Sequence, residues 1–265
     1  RYLRRLPLVY QPSMQTTIIS MKQTIFEIVS NRALTESVYE MVLSGDTLAV
    51  TRPGQFVELS LDGLFLRRPI SVCNYDEGKL TLIYKVVGKG TAQMANLVAG
   101  TKLDTLTGLG NGFNDEAQCS SPLLVGGGVG VPPLYRLARN LIAKGKSVTV
   151  VLGFNTAAEI FYREQFEALG AQVVVATADG SCGVKGFVTD AIAQNNIVAD
   201  YFYSCGPLPM LKALCSTLDI TGEISLEERM GCGFGICMGC SIQTASGPKR
   251  VCKEGPVFKK EEILW

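Results

Sequence analysis

The chain has no histidine in 265 residues. This excludes Ser-His-Asp and Cys-His nucleophilic machinery from the chain, and also Cys2His2 zinc, a histidine-ligated haem and a Rieske centre. Any metal chemistry must rest on cysteine or carboxylate. Neither sign of charge dominates: 25 Lys and Arg stand against 24 Asp and Glu, a net charge of +1. With no run of like charge, there is no electrostatic reason to expect nucleic acid or an anionic membrane as partner. Long apolar runs are missing too. The longest, around Leu123 to Leu134, is interrupted by glycine and proline and cannot cross a bilayer. The opening stretch, RYLRRLPLVYQPSMQ, is basic but lacks the apolar core and cleavage site of a secretory signal. Residues 1–20 read as an N-terminal extension or expression remnant outside the fold, and the chain reads as cytoplasmic with reduced thiols.

What is present is apolar residue, glycine and cysteine. A hydrophobic fraction of 47% over this length supports a large core, and suits two or three small domains better than one. From 21 to 117, short runs rich in Val, Ile, Thr, Phe and Tyr alternate with turn residues. Strands are expected over 24–30, 38–44, 55–61, 70–75, 80–87 and 102–108, with one short helix over 91–98. Such short strands in so few residues predict a small antiparallel barrel. Near 118 the pattern changes. Strands over 122–128, 147–153, 171–177, 199–206 and 222–227 alternate with helices over 131–145, 158–170, 187–195 and 207–218. That alternation predicts a doubly wound parallel sheet covered on both faces, over 118–223. Residues 224–265 read as a small C-terminal segment with cysteines and little regular structure.

The strongest chemical signal is GCGFGICMGC, 231–240. Cys232, Cys237, Cys240 and the later Cys252 have the spacing C-x4-C-x2-C-x11-C, the plant-type [2Fe–2S] pattern. Glycines between them let backbone rather than side chain line a compact inorganic core. The alternative is a structural four-thiolate zinc. Zinc sites usually show two C-x2–4-C knuckles, whereas here the fourth cysteine stands alone.

Weaker motifs gain meaning together. RRPISV (67–72) offers guanidinium to a phosphate, although two arginines before a proline are commonly a solvated strand end. GKGTAQM (88–94) is a glycine turn entering a helix, where free N–H groups can meet phosphate; alone it is only a turn. VGGGVGVPP (125–133) places bare backbone at a strand end before a helix. It is not a true G-x-G-x-x-G, because the last position counted from Gly128 is Pro133, and a plain glycine-rich turn is an equal reading. SCGPLPM (204–210) puts Cys205 at a strand end, where a single cysteine is more often packing than chemistry.

The order RPIS, GKGT, GGGVGVPP, CGP and cysteine loop resembles the ferredoxin–NADP reductase superfamily, and within it the electron-transfer subunits of type B dihydroorotate dehydrogenases. FLRRPIS (65–71), GLGNGF (108–113) and VCKEGPVF (251–258) carry the likeness, which covers about 21–260. The resemblance implies FAD held by Arg68, Pro69, Ile70 and Ser71, by Ile83, Tyr84 and Lys85, and by Gly90 and Thr91. It implies a pyridine nucleotide at Gly126, Gly127, Gly128 and Gly130, with Cys205 near the nicotinamide. It implies a [2Fe–2S] cluster on Cys232, Cys237, Cys240 and Cys252. Ile70 stands where many superfamily members stack a tyrosine on the flavin, so stacking is expected from elsewhere, with Tyr84 as candidate. GFNTAAE (153–159) has no cation for a 2′-phosphate but has Glu159, which favours NAD. The implied function is electron transfer from an FMN-containing dihydroorotate dehydrogenase catalytic subunit, through the cluster and FAD, to NAD+, in a hetero-oligomer with two of each subunit. Little dihydroorotate activity is expected of the chain alone. Two alternatives stay open: the reductase subunit of another NAD(P)H–ferredoxin or sulfide-type oxidoreductase, and a zinc-stapled, non-catalytic binding module.

Overall fold

Period-two alternation bounded by glycine turns yields six strands: β1 (Lys22–Ala33), β2 (Val38–Ser44), β3 (Phe56–Leu59), β4 (Arg68–Asp76), β5 (Lys79–Lys85) and β6 (Lys102–Leu109). The computed structural model describes residues 21–265, so the N-terminal extension lies outside it. The strands close into an antiparallel barrel in the order β1-β2-β5-β4-β3-β6. Phe26, Met41, Leu43, Val57, Leu59, Leu80 and Leu82 fill its interior and are all but inaccessible. Each such side chain contributes roughly 1.5–3 kcal/mol by leaving water. Helix α1 (Lys89–Ala95) closes the barrel with buried Met94.

The second half alternates β7 (Pro122–Gly127), α2 (Pro132–Ala143), β8 (Thr149–Phe154), α3 (Arg163–Ala168), β9 (Gln172–Thr177), β10 (Val184–Lys185), α4 (Val188–Gln194), β11 (Tyr201–Cys205), α5 (Leu208–Thr217) and β12 (Gly222–Ser225). The strands β10-β9-β8-β7-β11-β12 run parallel, in that order. Strand order reverses between β7 and β11, so a crevice opens at their carboxyl ends, where open α/β sheets bind ligands. Helix α2 also meets the barrel: Arg136 lies 4.1 Å over the Tyr75 ring, and Arg136 and Arg139 both pair with Asp76.

Two expectations need correction. The helix over 158–170 is interrupted. Ala157–Glu159 form one 3-10 turn, Tyr162 takes φ 65°, and only then does α3 begin. The cause is tertiary: the Tyr162 hydroxyl donates to Glu40 Oε2 of β2 at 2.7 Å, across the boundary with the barrel. The C-terminal segment is also more regular than its composition suggests. It folds a hairpin, β13 (Ser241–Thr244) with β14 (Gly247–Arg250), and β15 (Val257–Lys259) adds an antiparallel edge to β12 of the large sheet.

Asn111, in the GNG turn after β6, ties these parts together. Its Nδ2 donates to Glu254 O at 3.0 Å and Val257 O at 2.7 Å, and its Oδ1 accepts the Val257 N–H at 3.1 Å. Gln55 of the barrel donates to Gly110 O at 3.0 Å. Replacing Asn111 with Ala should cost about 3 kcal/mol, at roughly 1 kcal/mol per bond plus the penalty on stranded carbonyls. A lowered denaturation midpoint is expected, and an unchanged one would show that the seam is held elsewhere.

Candidate functional site: a flavin face, a nucleotide cleft and a cysteine loop

The RRPIS arginines divide their work. Arg67 turns back to β6, donating to Asp104 Oδ2 at 2.8 Å and Asp104 O at 2.9 Å. Arg68 lies across the first turn of α1: a Cβ placed on Gly90 would fall 2.2 Å from Arg68 Nε. Bare backbone at Gly90 is what lets the guanidinium pack on the helix start, with its Nη1 donating to Leu66 O at 2.6 Å; a guanidinium beside a helix start is the kind of pairing that suits a diphosphate. Thr91 shapes the turn from within. Its Oγ1 accepts the N–H groups of Val87 at 2.9 Å and Gly88 at 3.2 Å. Ser71 pairs with Phe56, and Ile70 packs against the barrel core.

On β5 the three expected residues part company. Ile83 joins the core shared with the nucleotide half, and Lys85 lines the cleft described below. Tyr84 is enclosed in the barrel, with its hydroxyl on Asn31 Oδ1 at 2.9 Å and its ring flat against Tyr39. Burial pushes its phenol up to about 12. The Tyr84 ring is therefore not a stacking surface for a flavin, and the substitute expected for a tyrosine at Ile70 is not supplied there.

A cleft of about 660 Å3 runs between the barrel and the carboxyl ends of β7, β8 and β11. Gly127, Gly128 and Gly130 line it, as do Glu159 and Gly206. Gly126 sits inside β7, where a Cβ would press on Val131. At Gly130 a Cβ would meet Cys205 O at 2.2 Å, so the turn into α2 rests directly on the end of β11. Cys205 itself stands behind the cleft, with Gly206 forming the wall. Full burial pushes the Cys205 thiol up to about 12, so it stays neutral at ordinary pH. Glu159 is held at the rim by Asn155, whose Nδ2 donates to it at 2.9 Å. Residues not foreseen from the sequence complete the walls: Ser37 and Val38 from the barrel, Phe161 beside strained Tyr162, and Glu227 from the segment leading to the cysteines. Nothing in the local sequence marks them, because tertiary packing brings them there.

The four cysteines fall into two pairs. The Cys237 N–H donates to Cys232 Sγ at 3.4 Å, and the Cys252 N–H donates to Cys240 Sγ at 3.4 Å. Among the described residues, no three Cys, Asp or Glu side chains converge as a cage for a single ion. The pairs differ in setting. Cys237 is exposed, whereas Cys240 and Cys252 are buried. At Cys232, burial opposes ionisation. The N–H groups of Cys237, Phe234 and Ile236 overcome it and bring the thiol down to about 6. Burial, and then the Cys240 thiol, push Cys252 up to about 12. The glycines serve two purposes. Gly231 and Gly239 face the Cys237 sulfur, while a Cβ on Gly233 would strike the carboxyl of Glu58. Glu58 is a lone acid in the apolar β3 run, and burial, with the Cys232 charge second, pushes it up to about 7.

Comparisons with known proteins agree with this layout. Residues 227–264 match a family described as the iron–sulfur cluster binding domain of dihydroorotate dehydrogenase B, and residues 124–216 match an oxidoreductase NAD-binding domain. The chain is 44% identical over 256 residues to the dihydroorotate dehydrogenase B (NAD(+)) electron transfer subunit of Shouchella clausii, covering 92% of this chain and 98% of that one. This chain belongs to that family. The subunit from Bacillus mycoides is 45% identical over 251 residues, covering 89% and 96%. Among solved structures, an NADH-dependent reduced ferredoxin–NADP oxidoreductase superposes with a TM-score of 0.82 at 31% identity, covering 91% of this chain and 90% of that one. Among the described residues no helix is long and apolar enough to cross a membrane.

The cradle yields a test specific to this family. Gly90→Ala meets only a flexible arginine, so the fold should survive, but Arg68 must leave its position. Flavin retention through gel filtration should weaken about tenfold, the loss of one charge-assisted contact. Full retention would mean that Arg68 does not hold the diphosphate.

Proposed function

We propose that the chain is the electron-transfer subunit of a dihydroorotate dehydrogenase B. It passes electrons from a catalytic partner flavoprotein, through a [2Fe–2S] cluster and FAD, to NAD+ in pyrimidine biosynthesis. The observation that carries this reading is juxtaposition. One barrel presents the Arg68–Gly90 cradle, forms a wall of the nucleotide cleft through Lys85, and seats the cysteine loop on β3. Bound FAD exchanges a hydride with nicotinamide while a [2Fe–2S] cluster carries single electrons, so together they join a two-electron carrier to a one-electron route.

The chain's own residues do the holding. Arg68 neutralises the FAD diphosphate beside Gly90 and Thr91. The strand backbones from Arg68 to Ser71 and from Ile83 to Lys85 line the flavin. Gly126 and Gly127 end strand β7, and the Gly128–Gly130 turn after them offers its peptide N–H groups to the dinucleotide phosphates ahead of α2. Cys205, as a neutral thiol, packs behind the nicotinamide end without competing as a nucleophile. Cys232 with Cys237, and Cys240 with Cys252, would each take one iron; two pairs suit a two-iron group better than one four-thiolate ion. Glu159 selects NAD, by accepting from a ribose hydroxyl and repelling a 2′-phosphate.

The partner in this reading is the FMN-containing catalytic subunit, two copies to two of this chain, in the cytoplasm. The names of the relatives, as subunits for electron transfer, support a catalytic partner. Ile236 and Met238, 76% and 53% exposed on either side of exposed Cys237, suit a protein that docks over the loop. The dihydroorotate chemistry is assigned to that partner.

Anaerobically purified protein should show flavin bands with a broad iron–sulfur shoulder, both bleached by NADH; a colourless, zinc-containing protein would refute the reading. Cys237→Ser should abolish transfer to the partner while NADH-to-dye turnover persists, and intact dihydroorotate-to-NAD+ turnover without a cluster would exclude the route. Glu159→Arg should raise the NADPH-to-NADH preference about tenfold or more, the scale of one charge-assisted phosphate contact. A wild type that already prefers NADPH in initial-rate assays would contradict the role of Glu159.

A further inference from the structure

Glu58 occupies a costly position. It is 1% exposed on a strand whose other members, Phe56, Val57 and Leu59, are all apolar. Its Oε1 has no hydrogen-bond partner among the described residues. Arg67, the nearest cation, donates instead to the Glu58 main-chain carbonyl, at 3.5 Å, and to Asp104. A buried carboxyl oxygen left unpaired has given up its hydration with nothing in return, and an aliphatic residue would fill the same volume without that cost.

The side chain has a definite direction. Val57 and Leu59 face the barrel interior, whereas Phe56 packs with Cys240, Val251 and Cys252 of the C-terminal segment. By strand alternation Glu58 shares the side of Phe56. Its carboxyl meets Gly233, whose absent Cβ would lie 2.2 Å from Glu58 Cδ and Oε1. Gly233, at φ 73°, follows directly on Cys232. Beside Glu58, across the ladder, stands Pro69 of the RPIS strand. The carboxyl that meets the start of the cysteine loop therefore lies beside the RPIS strand, on the same face of the barrel wall.

We propose that Glu58 is a positioning residue for the iron–sulfur cluster: its carboxyl is the seat on which the loop turns at Gly233, and it fixes the cluster against the flavin-bearing strands. The inference rests on the assignment of the four cysteines to the cluster. The fit is close: any side chain on residue 233 would collide with the Glu58 carboxyl, and an apolar residue at 58 would put no carboxyl oxygen against the turn.

The test uses the full chain, purified anaerobically, as wild type and as Glu58→Ala, Glu58→Leu and Glu58→Gln. Iron and acid-labile sulfide are followed during a chelator challenge, the dithionite-reduced cluster is recorded by electron paramagnetic resonance, and flavin bleaching by NADH serves as the control for an intact fold. Glu58→Ala and Glu58→Leu, which remove the carboxyl packed under Gly233, should lose iron about tenfold faster, with altered line shape and unchanged flavin bleaching. Glu58→Gln, which keeps shape and an oxygen, should restore both properties to within about twofold. If Glu58→Ala fails to fold, the Leu and Gln variants carry the comparison. An iron-loaded wild type matched by an equally stable Glu58→Leu, with the same line shape, overturns the inference alone. A wild type that binds no iron overturns it together with the cysteine assignment.

Discussion

The side-chain amide of Asn111 does for this molecule what a strand ladder does within a sheet: it satisfies the backbone of a segment that has no regular partner of its own. Buried peptide groups must be paired, and the run from Glu254 to Val257 crosses between two bodies before it can join β12. Asn111 accepts from one peptide and donates to two. Its own N–H goes to Gly255 O at 2.8 Å. Gly110 lets Pro256 approach, since a Cβ there would sit 2.6 Å from Pro256 Cδ. Once this crossing is fixed, β15 can register on β12, and the cysteine segment is anchored behind its loop. Barrel, parallel sheet and cysteine loop thus share a corner rather than hang on linkers, as a relay of bound groups requires.

The parts of the fold that follow from local rules were legible in the sequence. The barrel strands and the helices after β7 and β11 carry their periodicity, their glycine stops and their prolines at the helix starts. The expectations that failed are those where a distant residue decides. Tyr162 leaves the helical region because its hydroxyl is captured by Glu40, a residue 122 positions earlier. Strand β15 is three residues long and becomes a strand only because β12 offers an open edge. Tyr84 was the natural candidate for a flavin-stacking ring by position, yet alternation along β5 directs the ring into the barrel. A short run gives too little information to settle which face of a strand is inside.

The site was legible by residue type more than by geometry. Arg68, Gly90 and Thr91 were expected together and are brought together, and Gly127, Gly128 and Gly130 do line a cleft. The contributors from the barrel side, Ser37 and Val38, and the acid at Glu227 have no motif to announce them. Their roles come from a crevice formed between two separate sheets. Glu58 is the instructive case, because its signal was present as a single acid inside QFVEL. Read locally it is an ordinary exposed position on a half-buried strand, and only the neighbouring loop turns it into a buried one.

The two cysteine pairs are unlike, and that asymmetry bears on direction. Backbone N–H groups aimed at Cys232 Sγ, from Ile236 at 3.3 Å and Cys237 at 3.4 Å, stabilise negative charge at the outer pair. The inner pair has Cys252 N–H on Cys240 Sγ at 3.4 Å and an apolar surround that includes Phe56 and Val251. Donors to sulfur favour the more negative, reduced state, and an apolar surround disfavours it. A [2Fe–2S] group, were it held by these four thiols as proposed, would rest on one pair beside exposed Ile236 and Met238 and on another packed in an apolar surround. The N–H donors at Cys232 would make added negative charge better tolerated at the surface pair than at the buried one, and the contact of Glu58 with Gly233 would hold the loop on β3.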